Sequence, residues 1–113
     1  MQTDEHAKSG IRRSNGVWIV PRKLNGSQLI TETMMAVNTT DQRAFVMDVA
    51  DIDFSQDGWL ETFRYVSGII VGRNGTIALV GVPSHIKPAF LKQEWSKRVR
   101  FYKSLQEVPA SHA

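Results

Sequence analysis

The chain has 113 residues, a formal net charge of +3 and no cysteine. This length fits one domain with a single core, and the lack of cysteine excludes disulfides, zinc–thiolate sites and thiol catalysis. Residues 1–6 are polar and lack the apolar run of a signal peptide, and no apolar stretch approaches the roughly 20 residues of a transmembrane helix. We therefore expect a cytoplasmic protein without membrane insertion, whose small excess of charge does not by itself predict nucleic-acid binding.

The first quarter of the chain predicts a leader followed by a strand. Residues 1–15 mix charges with Ser, Gly and Asn without periodicity, which indicates a flexible leader. Residues 17–20 are β-branched or aromatic and predict a strand, which Pro21 ends or confines to a sheet edge. Residues 22–24 predict a brief second strand before an Asn-Gly turn.

A first helix is predicted after this turn, with Ser27 as its N-cap. One face of the helix is apolar at helical spacing and consists of Leu29, Ile30, Thr33, Met34 and Val37. The adjacent methionines Met34 and Met35 could form a soft binding surface, but we interpret them as core residues that fill gaps.

The centre of the chain predicts a βαβ unit, in which two parallel strands are joined by a helix in a right-handed crossover. Residues 44–49 and 76–82 are apolar runs that predict the strands, and residues 52–58 form a polar corner between the first strand and the helix. The helix is predicted from Trp59 to about Gly72 by an apolar stripe at helical spacing. The stripe consists of Trp59, Leu60, Phe63, Val66, Ile69 and Ile70.

The corner at the start of this helix is the place where we expect a function. Free backbone N–H groups point outward there and carry a partial positive charge. Asp57 or Ser55 can cap the helix. Gly68 weakens the helix, so we interpret it as a point of close packing against the sheet.

The last third of the chain predicts a helix, an edge strand and a short terminal helix. The helix is predicted over residues 85–95 with Ser84 as its N-cap. Its buried stripe consists of Ile86, Phe90 and Leu91. Residues 99–102 alternate in polarity and predict an edge strand guarded by basic residues. Residues 104–107 have the spacing of a capping box, and residues 109–113 are expected to be a loose tail.

Several pieces of this pattern, taken in order and at their separations, resemble the STAS domain, whose best-known members are bacterial anti-sigma factor antagonists. The pieces are the opening strand with Lys23-Leu24-Asn25, the run from Asp48 to Phe54 with its corner and helix, the turn Val80-Gly81-Val82-Pro83-Ser84, and residues 101–107. The resemblance covers residues 16–105. It implies one STAS-type α/β domain over residues 16–108, with a mixed four- to five-stranded sheet and helices mainly on one face.

The resemblance also implies a non-enzymatic role in signal transduction and transcription regulation. In the family, an ATP-dependent serine kinase, often the anti-sigma factor itself, phosphorylates a Ser or Thr at the start of the second helix, and the added charge ejects the partner. The implied partner is therefore an anti-sigma factor or serine kinase of a partner-switching network, and a homodimer is also open. The implied binding corner consists of Asn25, Phe54, Ser55, Gln56, Asp57, Gly58, Trp59 and Ser84.

The corner departs from the family pattern Asp-Ser-Ser/Thr-Gly. Aligned without a gap from Asp48, the chain has Gln56 at the Asp position, Asp57 at the acceptor and Gly58 at the second Ser. A shift by one residue places Gly58 on the family glycine and Asp57 on the second hydroxyl residue. In either register Asp57 is a partial mimic of the phosphorylated state, a helix cap, or both. Ser55 is the nearest hydroxyl and the remaining phospho-acceptor candidate.

Other chemistry in the sequence is weak. The carboxylates near the corner could suggest a magnesium or acid–base site, but alternation along a strand sends neighbouring side chains to opposite faces. These carboxylates, which we expect to be solvated, are Asp48, Asp51, Asp53 and Asp57. The three histidines are scattered along the chain and therefore indicate neither a metal site nor a catalytic base. They are His6, His85 and His112. We therefore predict no catalytic residue, no metal, no cofactor and no enzymatic activity.

Two alternative functions remain open. One is a STAS accessory subunit of a lipid or solute transport complex. The other is a small nucleic-acid-binding domain, because residues 93–103 interleave basic and aromatic side chains. We expect Trp95 and Phe101 to lie in the core with the charges facing solvent, so nucleic acid is not the expected partner.

Overall fold

The computed structural model describes residues 10–56 and 58–109, so the expected leader before residue 10 and the tail after residue 109 lie outside the described residues. The elements in chain order are β1 (Arg12–Ser14), β2 (Val17–Ile19), α1 (Gly26–Thr39), β3 (Ala44–Asp48), α2 (Trp59–Gly72), β4 (Thr76–Val80), α3 (Lys87–Leu91), a first 3₁₀ helix (Glu94–Arg98), β5 (Val99–Tyr102) and a second 3₁₀ helix (Leu105–Glu107).

The strands form one five-stranded sheet in the order β1-β2-β3-β4-β5. β1 is antiparallel to β2, and every other neighbouring pair is parallel. The prediction of an α/β domain with a mixed sheet is confirmed. Successive parallel strands with right-handed crossovers bring their connecting helices to the same face of the sheet, and the main core contains residues from all three α-helices.

The main core lies between the helices and the sheet face that carries Trp18, Phe45 and Met47, which are fully buried. Alternate strand residues point to the opposite face, where a smaller cluster of Val46, Ala78 and Val80 is buried. Val17, Tyr102 and Val108 pack against this second cluster. Both faces of the central strands are therefore covered, as their nearly unbroken apolar runs predict.

Phe90 is the centre of an aromatic cluster inside the main core and is 1% exposed. Its ring centroid lies 5.8 Å from those of Phe63 and Trp95, 6.1 Å from that of Phe54 and 6.2 Å from that of Phe101. Aromatic pairs at such distances add stability beyond the area that they bury. The cluster joins α2 and α3 to β5 and to the loop that follows β3.

The start of the fold corrects the expectation of a flexible leader over residues 1–15. Residues 12–14 form β1, which pairs with β2 across a two-residue turn. Asn15 and Gly16 occupy this turn with φ of 53° and 81°, which is the preferred chemistry of a tight hairpin. The Arg13 side chain stabilises the hairpin through two contacts. Its Cζ atom lies 4.2 Å from the Trp18 ring centroid, and its Nη2 atom lies 2.5 Å from Glu32 Oε1.

The start of α1 corrects two further predictions. Residues 22–24 form no strand but a turn. The N-cap is Asn25 and not Ser27, since the Gln28 N–H donates to Asn25 Oδ1 at 2.8 Å and the Asn25 N–H donates to Gln28 Oε1 at 3.1 Å. This reciprocal pair is a capping box.

Two interpretations of helix surfaces were wrong. Met34 and Met35 are not core residues, because they are 47% and 49% exposed. Ala36 is buried on α1 instead. Gly68 does not pack against the sheet, since it is exposed and a Cβ added there would meet no atom within 4 Å.

The third helix is shorter than the predicted range of residues 85–95. α3 ends after Leu91, and Gln93 is extended with φ −83° and ψ 137° before the first 3₁₀ helix begins. The N-cap is Ile86 and not Ser84. The expectation that Leu91 is buried was wrong, because it is 55% exposed.

β5 is the edge strand that the sequence predicts. The backbone N–H groups at the two ends of β5 already have acceptors within the chain. The Val99 N–H donates to Ser96 O, and the Lys103 N–H donates to Glu107 Oε1 at 3.1 Å. Glu107 therefore bonds to Lys103, and Ser104 makes no side-chain cap of the second 3₁₀ helix. Across the described ranges, no helix combines the length and apolar character needed to cross a membrane.

Candidate functional site

The corner lies beyond the carboxyl end of β3, in the loop that leads to α2. Hydrogen bonds continue the sheet up to this loop, because the Val20 N–H donates to Asp48 O at 3.0 Å and the Val49 N–H donates to Val80 O at 2.9 Å. Gly81 also approaches the loop closely, since a Cβ added at Gly81 would lie 2.8 Å from that of Ala50. In open α/β sheets, ligands bind outside the carboxyl ends of the strands. The corner is therefore anchored on a rigid sheet at a favourable position.

A polar cavity of about 370 Å³ lies on the α1 side of the corner. Residues 22–26 form one wall, Asp53 and Gln56 form the second, and Trp59 and Thr62 of α2 form the floor. Arg22 Nη2 lies 3.7 Å from Asp53 Oδ2, but the Arg22 side chain is 73% exposed. This long, exposed ion pair contributes little to the stability of the cavity wall, because solvent screens it.

A second cavity of about 370 Å³ lies on the α3 side of the corner. Its walls are mainly apolar, with Phe54 and Leu60 on one side and Ile86 and Ala89 on the other. Gln56 and Trp59 line this cavity as well as the polar one. The residues between the two cavities therefore form a ridge, which we call the corner ridge and define as residues 54–56 and 58–59.

The corner loop is held by Asp53. The Ser55 hydroxyl and the Ser55 N–H both donate to Asp53 Oδ1, at 2.5 Å and 3.1 Å, and the Gln56 N–H donates to Asp53 O at 3.2 Å. This is an Asx-type turn, in which a carboxylate bonds to the backbone two residues on. The hydrogen bond from the Ser55 hydroxyl, followed by that from the Ser55 N–H, lowers the pKa of Asp53 below its ordinary value.

Replacing Ser55 with Ala should raise the pKa of Asp53 towards its ordinary value, because the main cause of the lowering is removed. In the native chain the lowered pKa makes the carboxylate stabilising above its unfolded pKa, and this contribution is lost as the pH falls through the folded pKa. An NMR titration of the Asp53 Cγ shift measures the change. Ser84→Ala is the control, and an unchanged Asp53 pKa in Ser55→Ala would contradict the assignment.

α2 begins at an unusual backbone position. Its N-cap is Gly58, with φ +96° and ψ −2°, and the Thr62 N–H donates to Gly58 O at 2.9 Å. Among the described residues no side chain caps this helix, and the Ser55 hydroxyl donates to Asp53 instead, so the prediction of Ser55 as the cap was wrong. Asp57 lies outside the described residues. Its roles as a cap or as a mimic of the phosphorylated state stay predictions.

The structure brings most of the predicted site residues together. Phe54, Gln56, Gly58 and Trp59 line the α3-side cavity, and Ser55 is exposed beside them. Asn25 lines the polar cavity on the other side of Gln56. Trp59 is only 8% exposed, and its ring centroid lies 5.7 Å from that of Phe63, on which it stacks. Trp59 therefore packs in the core beneath the exposed residues of the ridge. Ser84 is exposed but lines neither cavity.

Sequence reasoning missed several of the residues that form the two cavity walls. Arg22 and Lys23 lie three and four residues after the end of β2, so their position after a strand could have placed them at the carboxyl end of the sheet. Ile86 and Ala89 gave no such signal, because they reach the corner through the position of α3. In residues 10–56 and 58–109, no three His, Cys, Asp or Glu side chains gather where they could hold a metal ion.

The comparisons with known proteins give a fold and no function. No family model matches the chain, and no curated protein matches it. Among solved structures, the chain is similar to the protein TM1081, whose structure was determined by NMR, with a TM-score of 0.64 and 17% sequence identity. The similarity covers 88% of this chain and 83% of TM1081. At this identity it shows a shared α/β fold alone.

Proposed function

We propose that this chain is a non-enzymatic regulatory domain that binds a protein partner through the corner ridge, in the manner of an anti-sigma factor antagonist. The partner is an anti-sigma factor or serine kinase of a bacterial, cytoplasmic partner-switching network. The observation that carries the proposal is the ridge itself, which stands at the start of α2 between a polar and an apolar cavity.

The two cavities provide what a specific protein interface needs. Protein interfaces combine an apolar centre with a polar rim. The α3-side cavity offers apolar walls from Phe54, Leu60 and Ile86, and the α1-side cavity offers the charges of Arg22 and Asp53. A partner loop that straddles the ridge would contact both cavities at once. The exposed Ser55 and Gln56 would then lie near the centre of the contact.

The backbone at Gly58 favours one of the two alignments with the family. An L residue is strained at φ +96° and glycine is not. The register that puts Gly58 on the family glycine is compatible with this backbone, whereas the register that puts it on a Ser position is not. In the favoured register Asp57 takes the place of the second hydroxyl residue. A carboxylate would bring one negative charge where phosphate brings close to two.

The proposal is tested by capture of the tagged chain from its native cells, with mass spectrometry of the bait and of the proteins that accompany it. A co-purifying kinase-type anti-sigma factor, with unmodified bait, is the expected result. Phosphate on Ser55 would support a switch at a displaced position. A transport ATPase as the main companion would contradict the proposal in favour of a transport subunit, and salt-sensitive DNA or RNA would favour a nucleic-acid-binding domain.

The capture also needs a control that changes only the ridge. Gln56→Arg places a bulky cation on the exposed ridge without touching the core, because Gln56 is exposed. We expect this variant to lose the companion. Arg12→Gln, on the exposed edge strand β1, should keep it. Equal recovery of the companion by both variants would show that it binds elsewhere.

A further inference from the structure

A larger cavity of about 750 Å³ lies away from the corner. It begins where β3, β4 and β5 start, at Ala44, Thr76 and Val99, and it continues along β5 to Tyr102. The corner follows the opposite, carboxyl end of β3. A ligand in this cavity therefore would not compete with a partner on the corner ridge.

The cavity is lined by three cations, Lys97, Arg98 and Arg100, and we call it the basic cavity. Lys97 Nζ lies 3.1 Å from Glu94 Oε2, but both side chains are largely exposed, at 73% and 87%. Such a pair contributes little. Among the described residues, no carboxylate lines this cavity, and neither Arg98 nor Arg100 has an ion pair. The cavity is therefore a concave surface of one charge sign, which attracts an anion.

The rim of the cavity is partly apolar. Ala44, Tyr102 and Pro109 border it, whereas the side chains of Ile77 and Val99 belong to the main core on the other face of the sheet. Arginine guanidinium groups bind carboxylates through paired hydrogen bonds. Three cations beside a partly apolar rim thus match a chain segment that alternates carboxylates with small apolar side chains.

Single-stranded nucleic acid fits this surface less well. Stacking of successive bases needs several exposed aromatic rings, but Tyr102 is the one aromatic residue among the described residues that line the cavity. The rings of Trp95 and Phe101 pack on Phe90 at 5.8 Å and 6.2 Å. Lys87 also covers Phe101, with Nζ 5.7 Å from the ring centroid. Anionic membranes attract clusters of about 4–8 cations, which exceeds the three cations here.

The partner would bind through side chains and not as an added strand. The N–H groups at both ends of β5 are already bonded, that of Val99 to Ser96 O and that of Lys103 to Glu107 Oε1. A short edge strand whose terminal N–H groups are already bonded is a poor template for pairing with another strand. The guanidinium groups of Arg98 and Arg100 remain the principal donors available to a ligand.

From these observations we infer that the basic cavity binds an acidic segment of a protein partner, one that alternates carboxylates with small apolar residues. The segment places its carboxylates on Lys97, Arg98 and Arg100 and its apolar side chains against the rim residues Ala44, Tyr102 and Pro109. The chain then has two separate docking surfaces, the corner ridge and the basic cavity.

The test measures binding of a fluorescent peptide in which Glu alternates with Ala, together with a matched peptide in which Gln replaces Glu. We expect the Glu peptide to bind and the Gln peptide not to bind. Arg98→Gln and Arg100→Gln should each weaken binding by about tenfold, since each removes a charge-assisted hydrogen bond. Arg12→Gln makes the same charge change on β1 and should leave binding unchanged. Added salt should weaken binding.

Several results would overturn the inference. No binding of the Glu peptide, or an equal loss in Arg12→Gln, would show that the cavity is not a specific site. Tighter binding of single-stranded oligothymidine or of vesicles with anionic lipid would assign the surface to nucleic acid or to a membrane. Self-association removed by Arg98→Gln would assign it to a second copy of the chain. Circular dichroism of each variant confirms that these exposed substitutions leave the fold intact.

Discussion

Replacement of Phe90 with Ala should lower the free energy of unfolding by about 3–5 kcal/mol, the usual cost of truncating a buried aromatic side chain. Phe90 is 1% exposed, and its ring contacts those of four other aromatic residues. The cavity left by its ring cannot close easily, because rigid neighbours from the sheet and from α2 surround it. Urea unfolding followed by tryptophan fluorescence measures the loss.

Leu91→Ala is the matched control for this substitution. Leu91 is the next residue of α3, but it is 55% exposed. Its truncation should change the free energy of unfolding by no more than about 0.5 kcal/mol. Similar losses in the two variants would contradict the placement of Phe90 at the centre of the core. Phe90→Leu retains much of the side-chain volume, so its loss in the free energy of unfolding should lie between those of Phe90→Ala and Leu91→Ala.

Replacement of Gly75 with Ala should cost about 3 kcal/mol or more, at the upper end of the range for overpacking. A Cβ there would lie 2.5 Å from Arg43 O and 2.9 Å from Ile70 O, and these are backbone atoms that cannot rotate away. It would also lie 2.8 Å from the Ile70 Cγ2 atom. The α2–β4 connection would have to move away from β3, which weakens the pairing of the central strands.

Gly68→Ala makes the same substitution within α2, but it should raise the free energy of unfolding instead of lowering it. A Cβ at Gly68 meets no atom within 4 Å, so only helix propensity changes, and the chain should gain about 0.5–1 kcal/mol. Thermal unfolding of both variants measures the two effects together. A large loss in Gly68→Ala, or none in Gly75→Ala, would contradict the described packing of α2.

The elements with strong hydrophobic periodicity could be predicted from the sequence. β3 and β4 are apolar runs, and α2 carries an apolar stripe over four turns, so local pattern and tertiary packing agree there. β1 was missed because its three residues are exposed and polar. The Asn15-Gly16 pair was the available signal, since this dipeptide favours a two-residue hairpin turn.

The end of α3 could not be predicted from periodicity. Trp95 lies five residues after Phe90, so a continuous α-helix would turn the two side chains about 140° apart. The extended residue Gln93 breaks the helix and returns Trp95 to the Phe90 ring at 5.8 Å. The gain in aromatic packing therefore outweighs local helix propensity, which is a tertiary effect that sequence spacing does not show.

The candidate site was predicted in part. The corner residues Phe54, Ser55 and Gln56 were found because a polar turn between a buried strand and an amphipathic helix is visible in the sequence. The hydrogen bonds from Ser55 to Asp53 and the wall formed by Ile86 depend on three-dimensional positions. The φ of Gly58 is likewise a backbone property, which composition does not reveal.

The most direct test of the proposed function is the affinity of the captured partner for variants of the corner, measured by isothermal titration calorimetry. Asp57→Ser replaces the charged carboxylate with a neutral hydroxyl, and Asp57→Ala leaves neither group. Asp41→Asn makes a matched charge change at an exposed position after α1. We predict that both Asp57 variants change the affinity by about tenfold or more and that Asp41→Asn does not. Equal affinities for all the variants and the native chain would show that the corner is not the partner-binding switch.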